Sequence, residues 1–331
     1  SAELRGLRDV PAETRDGARV PLYINAGLPS DIAPSLETGA EGIGLYRTEF
    51  AFMVRESFPG EEEECQIYRQ VLESFAPRPV TMRTLDVGSD KGLPYFPIDE
   101  DNPALGWRGI RLTLDHPEIF LTQLRAMLRA SAGLDNLRVM FPMISKANEL
   151  DEALALMERA HRELSAAGFI LGPCPVGVMI EVPSAVYLTR NLARRVDFLS
   201  IGTNDLTQYL LAVDRNNARV ARLYDHLHPA VISAVRQVIE EAHALGKPVT
   251  VCGEMASDPA AVLLLLGMGI DGLSMSYSSL PRIKWTIRSV TRQRARELLD
   301  QVREMADESA IRCLLANALE AAGLGALVRG A

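Results

Sequence analysis

The sequence predicts an α/β fold, a (β/α)8 TIM barrel, on three observations. Eight short runs are almost continuously apolar, as strands buried on both faces must be. Amphipathic helical patterns lie between them, the arrangement expected of parallel strands joined by crossover helices. The charged residues that interrupt the apolar pattern collect where the runs end, on the side where such barrels build their sites. An open, doubly wound sheet is the alternative. No GxGxxG or P-loop pattern follows any run, so nothing points to a dinucleotide or nucleoside triphosphate.

In chain order, Asp16-Gly17 is a hairpin-turn signal. Residues 1–19 therefore read as a linker with a small strand pair, ahead of a barrel over residues 20–331. "VPLYINAG" (Val20–Gly27) is the first barrel strand, "GIGLYRT" (Gly42–Thr48) the second and "VTMRTLDVG" (Val80–Gly88) the third. "LRVMFPMI" (Leu137–Ile144), "VGVMIEV" (Val176–Val182), "DFLSIGT" (Asp197–Thr203), "PVTVCGE" (Pro248–Glu254) and "DGLSMS" (Asp271–Ser276) complete the set. Helices are predicted between them, for example over Ala147–Gly168 and Ala230–Gly246. The stretch from Gly92 to Trp107 is rich in Pro and Gly and long for a loop, a length that commonly marks function.

The composition narrows the function. A chain of 331 residues with 47% hydrophobic residues can bury a large core. A net charge of -8 argues against nucleic acid as the partner, so an anionic ligand would need a local cluster of arginines. Cys65, Cys174, Cys252 and Cys313 fit neither zinc nor disulfide spacing, which leads to free thiols and a cytoplasmic location. The N-terminus lacks the apolar stretch of a signal peptide. The most apolar run, "AAVLLLLGMGI" (Ala260–Ile270), is too short and Gly-broken to cross a membrane.

The strand ends carry the chemistry. The second strand ends in Arg47. The third carries Arg83 and leads to Asp86, Asp90 and Lys91. The fifth ends in Glu181, the sixth in Asn204 and Asp205, and the seventh carries Cys252 and Glu254. Each has a plain alternative: a strand-end Arg can be a solvated surface group, Asp205 a helix cap, Cys252 a small core residue. Glu181 resists this, because an unpaired carboxylate in a barrel strand is costly unless a metal or arginine meets it. Two carboxylates suit Mg²⁺, which completes its shell with water and substrate oxygens. Guanidinium forks suit phosphate. A phosphorylated carboxylic acid would satisfy both, and a protonated thiol beside it can act as an acid.

The runs "EGIGLYRTEF", "TLDVGSDK", "NPALGWRGIR", "MIEVPSA", "IGTNDLTQYLLAVDR" and "CGEMASDP" resemble the phosphoenolpyruvate-binding C-terminal domain of Enzyme I, the phosphoenolpyruvate–protein phosphotransferase of the bacterial phosphotransferase system. The resemblance runs collinearly from about Arg19 to the C-terminus. "LDHPEIFLTQLRAMLRAS", "VDRNNARVARLYDHLHPA" and the tail "LGALVRGA" are most similar to the nitrogen-branch enzyme. The resemblance implies that Arg47, Arg83 and Arg215 bind the phosphoryl group and carboxylate, with Lys91 and Arg108 lining the pocket. It implies that Glu181 and Asp205 hold Mg²⁺, that Asn204 donates to the phosphate, and that Cys252 protonates C3 of enolpyruvate as pyruvate forms. It also implies a homodimer, and an HPr-like phosphocarrier that docks through an N-terminal domain outside this chain.

Three departures stand out. Ser89 and Ser257 replace glycines usual in the family. Enzyme I phosphorylates its own histidine in a Gly-rich Ser-His context, and none of His116, His161, His226, His228 and His243 has that context or is expected near a strand exit. The chain therefore reads as part of a longer protein, with Ser1 a remnant of its preparation. The alternatives are the C-terminal domain of a pyruvate phosphate dikinase or phosphoenolpyruvate synthase, and a module that senses phosphoenolpyruvate without turnover.

Overall fold

The computed structural model describes residues 2–329, apart from the side chains of Glu3 and Ser89. The readings attached to Ser1 and to the Ser89 side chain lie outside the described residues. Eight parallel strands close into one barrel in chain order, which excludes the open sheet. They are β1 (Leu22–Ala26), β2 (Ile43–Arg47), β3 (Val80–Arg83), β4 (Leu137–Phe141), β5 (Val176–Ile180), β6 (Phe198–Ile201), β7 (Val249–Val251) and β8 (Gly272–Met275). The barrel closes through β8 against β1, with Leu22 opposite Leu273.

Outside the strands lie α1 (Glu61–Phe75), α2 (Pro117–Ser131), α3 (Ala147–Ala166), α4 (Thr203–Leu211), α5 (Pro229–Ala244) and α6 (Pro259–Met268). After β8 come α7 (Leu280–Arg288), α8 (Arg292–Arg303) and α9 (Glu308–Ala321). Shorter helical turns complete the ring. The apolar run flagged above becomes α6, capped at its start by Asp258, whose Oδ1 accepts from Ala260 N at 3.1 Å. It is apolar on every side because the barrel covers one face and the C-terminal helices cover the other: Ala295, Leu298, Leu299, Ile311 and Leu315 join the same buried core. A Cβ at Gly267 would lie 2.6 Å from the Ala295 carbonyl oxygen, so only glycine permits this α6–α8 approach. Among the described residues no helix is long and apolar enough to cross a membrane.

One expectation holds in reduced form and one needs correction. The N-terminal strand pair is a minimal one, a single antiparallel bridge between Glu13 and Arg19 flanked by bonds from Thr14 N to the Ala18 oxygen and from Val20 N to the Ala12 oxygen, and Asp16 at its turn accepts from the Arg292 and Gln293 backbone at the start of α8. The third strand stops at Arg83 rather than Gly88. Its last ladder bond is Thr84 N to the Met140 oxygen, and the backbone beyond is held by side chains.

Inside the barrel, Leu45, Met140, Met179, Phe198 and Cys252 form a small cluster separate from the main outer core. Strand side chains alternate faces. Arg47, two residues past Leu45, and Glu181, two past Met179, therefore continue the inward-facing rows to the rim. Arg83 stands beside the first of these rows, paired in register with Arg47 on β2 and with Met140 on β4.

Candidate functional site

The register places two arginines side by side at the exits of β2 and β3. Arg83 is 6% exposed. Its Nη2 donates to Glu49 Oε1 at 2.9 Å, and its Nη1 lies 3.4 Å from Asp86 Oδ2. Burial opposes its charge, but Glu49, Asp86 and Glu181 outweigh that and raise its pKa above the ordinary arginine value. Its Nε is buried without a partner among the described residues. Arg47 is exposed and forms no salt bridge with a described residue. Loss of hydration and the neighbouring Arg83 both lower its pKa. Two adjacent cations, one with a spare buried donor, are chemically suited to an anion.

The carboxylates sit across from them. Asp86 is 2% exposed. Burial raises its pKa, but Arg83, Arg108 and Lys91 pull it below the ordinary value. Arg108 spans Asp86 and Asp205: Nη2 lies 3.0 Å from Asp86 Oδ2 and Nη1 lies 3.3 Å from Asp205 Oδ1. Gly109, at φ 55, makes the turn behind it, where a Cβ would lie 3.0 Å from Asp86 Oδ1. Glu181 is 1% exposed. Its Oε1 accepts from Met143 N at 2.7 Å, and Met143 holds the uncommon φ of 60°. A Cβ on Gly202 would lie 2.9 Å from Glu181 Oε2, so the glycine leaves room for the carboxylate at the β6 exit. Burial, then Asp205 and Asp86, push the Glu181 carboxyl up to about 8.

Asp205 does not cap its helix. It lies within the first turn of α4, whose N-cap is Gly202, and its carboxylate turns to Arg108. Asn204 Oδ1 accepts from Glu254 N at 2.8 Å. That fixes the amide orientation and leaves Nδ2 available to donate. Cys252 lies just past β7, 4% exposed. Burial is the main reason its thiol is pushed up to about 11; Arg83 and Arg47 act in the opposite direction.

Lys91 and Arg215 stand further out. Lys91 is exposed at the end of a short turn over Ser89–Lys91, within electrostatic reach of Asp86. Arg215 is exposed beyond α4. It lines a cleft of about 470 Å³ with Asp90, Asn102, Arg108, Asp205 and Tyr209. The Gly92–Trp107 loop supplies that cleft's far wall and is tied down by its own core, in which Phe58 packs edge-on against Tyr95 and Phe96. A wider groove of about 780 Å³ lies between the N-terminal segment and α7, and contains none of the strand-exit residues.

The structure thus brings Arg47, Arg83, Arg108, Glu181, Asn204, Asp205 and Cys252 to one rim. Ser257 adopts no left-handed backbone, and its hydroxyl donates to the Glu254 carbonyl at 2.9 Å. One histidine reading changes: His226 lies in the loop after α4, and its Nε2 is 2.6 Å from Asp258 in the loop after β7. It therefore belongs to this face of the barrel. Glu49 and Tyr209 were not singled out from sequence. Glu49 lies two residues past Arg47 in a polar turn, and Tyr209 is half-buried on α4, so neither interrupts a strand pattern.

Known proteins resemble this chain closely. Residues 1–292 match the family described as PEP-utilising enzyme, PEP-binding domain, PEP being phosphoenolpyruvate. A protein of Salmonella typhimurium named phosphoenolpyruvate-dependent phosphotransferase system is 48% identical over 97% of this chain and 43% of its own length. Its Escherichia coli namesake is also 48% identical. A phosphoenolpyruvate-protein phosphotransferase of Haemophilus influenzae is 50% identical over 90% of this chain and 52% of its own. The chain spans about half the length of these relatives. With a family match across most of its length and relatives close to half identical, the chain belongs to the PEP-binding domains of the PEP-utilising enzymes.

Proposed function

We propose that this chain is the phosphoenolpyruvate-binding domain of a Mg²⁺-dependent Enzyme I of the nitrogen branch, with residues 1–19 a linker to the domain that carries the acceptor histidine. The observation that carries this reading is the register-paired Arg47 and Arg83, facing Glu181, Asp205 and Cys252 on one rim. The tail motifs quoted above support the branch assignment. The whole protein would act in the cytoplasm as a homodimer and pass its phosphoryl group to an HPr-like carrier.

No group of three or more His, Cys, Asp and Glu side chains gathers as a metal site among the described residues, but two carboxylates suffice for a cation that takes its remaining ligands from water and substrate. Glu181 is buried with Asp205 and Asp86 as negative neighbours; burial first, and those carboxylates second, raise its pKa, and a bound cation would offset both. Glu181 and Asp205 would hold Mg²⁺, which when bound would offset charge on the phosphate and carboxylate oxygens. Arg108 would keep Asp205 and Asp86 aligned from behind while lining the substrate pocket.

The protein's own groups then divide the work. Arg47 and Arg83 would grip the phosphoryl oxygens, with the buried Nε of Arg83 finding its acceptor there. Asn204 Nδ2 would add a donor. Lys91 and Arg215 would close on the ligand from the two sides of the cleft. The phosphorus–oxygen bond breaks as the acceptor histidine forms a phosphorus–nitrogen bond. The enolate electrons then rebuild the carbonyl as C3 takes the proton from Cys252 Sγ, leaving a thiolate. A thiol pKa of about 11 keeps that proton in place at neutral pH, and Arg83 and Arg47 favour the thiolate that follows. Calorimetric titration of the chain with phosphoenolpyruvate, with and without Mg²⁺, tests the reading. Mg²⁺-enhanced binding is expected, and no binding in either condition would overturn it.

A further inference from the structure

We propose that Gln123, which touches none of the site residues above, is a positioning residue that holds the exits of β2 and β3 together and so fixes the Arg47–Arg83 anion socket. Gln123 lies on α2, behind the barrel, and is 1% exposed. Its Oε1 accepts from Leu85 N at 2.8 Å. Its Nε2 donates to Thr48 Oγ1 and to Tyr68 Oη, each at 3.1 Å. Thr48 in turn donates to the Arg83 carbonyl at 2.9 Å. Thr48 immediately follows Arg47, and Leu85 lies two residues past Arg83, so one amide grips both strands just beyond the arginines.

The location explains why a side chain is needed. β3 leaves the sheet at Thr84, so the backbone groups beyond it have no ladder partner. A buried backbone N–H must find one. Leu85 N finds Gln123, and Asp86 N finds Glu49 Oε1 at 3.0 Å, the same oxygen that receives Arg83. Since Leu85 can only donate, the Gln123 oxygen must face it, and both amide hydrogens then point to Thr48 and Tyr68. The amide has no alternative orientation that satisfies these partners. Loss of the side chain would free the β3 exit and the Glu49 arm together, and the geometry that a guanidinium fork needs would loosen.

This inference rests on the phosphoenolpyruvate reading for its functional consequence but not for its structural one, so the test has two arms. In the first, amide hydrogen exchange is followed in wild type and Gln123→Met. Exchange at Leu85 and Asp86 should accelerate, while Val80, at the start of β3 and bonded to the Asn136 oxygen, stays protected. Unchanged exchange at Leu85 and Asp86 would overturn the proposal whether or not the ligand binds. In the second, phosphoenolpyruvate affinity is measured with Mg²⁺. Gln123→Met should weaken it by about tenfold, as expected for several lost hydrogen bonds. Combined with Arg83→Lys, the loss should fall short of the product of the single losses, since both act through one socket. Losses that multiply would reduce Gln123 to a general stabiliser. Thr48→Ser, which keeps the hydroxyl, should bind as wild type, and Thr48→Val should not; equal binding by both would sink the link to Arg83. A wild-type chain that ignores phosphoenolpyruvate would defeat the functional reading alone, and the exchange arm would still decide the structural claim.

Discussion

The two sides of the rim are built differently. On the β2–β3 side, Arg83, Asp86 and Glu49 are 6%, 2% and 7% exposed, and each charge already meets an opposite one. On the β6 side, Arg215 is exposed and its guanidinium forms no salt bridge with a described residue. Asp205 keeps 20% side-chain exposure. Arg83, Asp86 and Glu49 on the first side are held by one another without any ligand, whereas Arg215 on the second is not held by an ion pair among the described residues. On the reading proposed above, rigid donors at the phosphoryl group would favour its transfer, and an exposed arm would admit substrate and release product. Cys252 sits at the seam, buried like the first side and beside the strand exit of the second.

Cys252→Ala probes that seam and carries the largest expected effect. The variant should bind phosphoenolpyruvate nearly as wild type, since the arginines and carboxylates are untouched. Pyruvate release, assayed with the acceptor domain supplied separately, should drop by roughly 10²–10⁴. Normal release would return Cys252 to the barrel core, where it already packs against Leu45, Met140, Met179 and Phe198.

The comparison predicts unequal outcomes for one chemical change made on each side. Arg83→Lys should cost about ten- to a hundredfold in affinity, because a lysine cannot reproduce a fork that serves Glu49, Asp86 and a phosphate together. It should also lower the melting temperature, because the buried carboxylates lose matched donors. Arg215→Lys should cost less than about fivefold, as befits an exposed cation, and leave melting unchanged. Equal losses at both positions would erase the distinction between the two sides. Asp205→Asn takes the comparison to the metal. It should bring affinities measured with and without Mg²⁺ close together, while Arg108 remains held by Asp86. A Mg²⁺ response as large as wild type's would remove Asp205 from the cation site.

The charged strand exits were the easier part to read from sequence. Period-two alternation carries Leu45 to Arg47 and Met179 to Glu181, so a charged residue at a strand exit stands out against an apolar run. The barrel followed from the near-continuous apolar runs together with the helical patterns between them. What holds the β2–β3 side depends on partners that sequence spacing hides: Gln123 meets Leu85 across 38 positions, and Glu49 meets Asp86 across 37. One signal was available. In "FLTQLRAM" the stripe of Phe120, Leu124 and Met127 faces the core, and Gln123 lies on that stripe. A polar group on a buried stripe must find partners, though the helix alone cannot name them. The end of β3 was misplaced for the same reason: "TLDVG" is apolar enough to continue a strand, but its backbone partners are side chains from elsewhere.

The smallest expected effect lies at the outer edge of the β2–β3 side. Glu64, in the first turn of α1, is 1% exposed and accepts from the Tyr68 hydroxyl at 2.6 Å. It forms no salt bridge with a described residue. Burial lifts its carboxyl from 4.5 to about 8, against the opposing pull of that hydrogen bond. The folded state therefore keeps the Glu64 proton at pH values where the unfolded chain has lost it. Stability linked to this group is full below the unfolded value and is lost as pH rises through the folded one. A glutamine can still accept from Tyr68 and does not titrate. Glu64→Gln should thus match wild type in melting temperature near the lower end of that window. It should exceed wild type by on the order of a few degrees at the upper end, with no further gain at higher pH. Thermal unfolding followed across the window reads this directly. A constant difference at every pH would mean that Glu64 does not carry the proton, and that the buried chain from Glu64 through Tyr68 to Gln123 is held by hydrogen bonds whose protonation never changes.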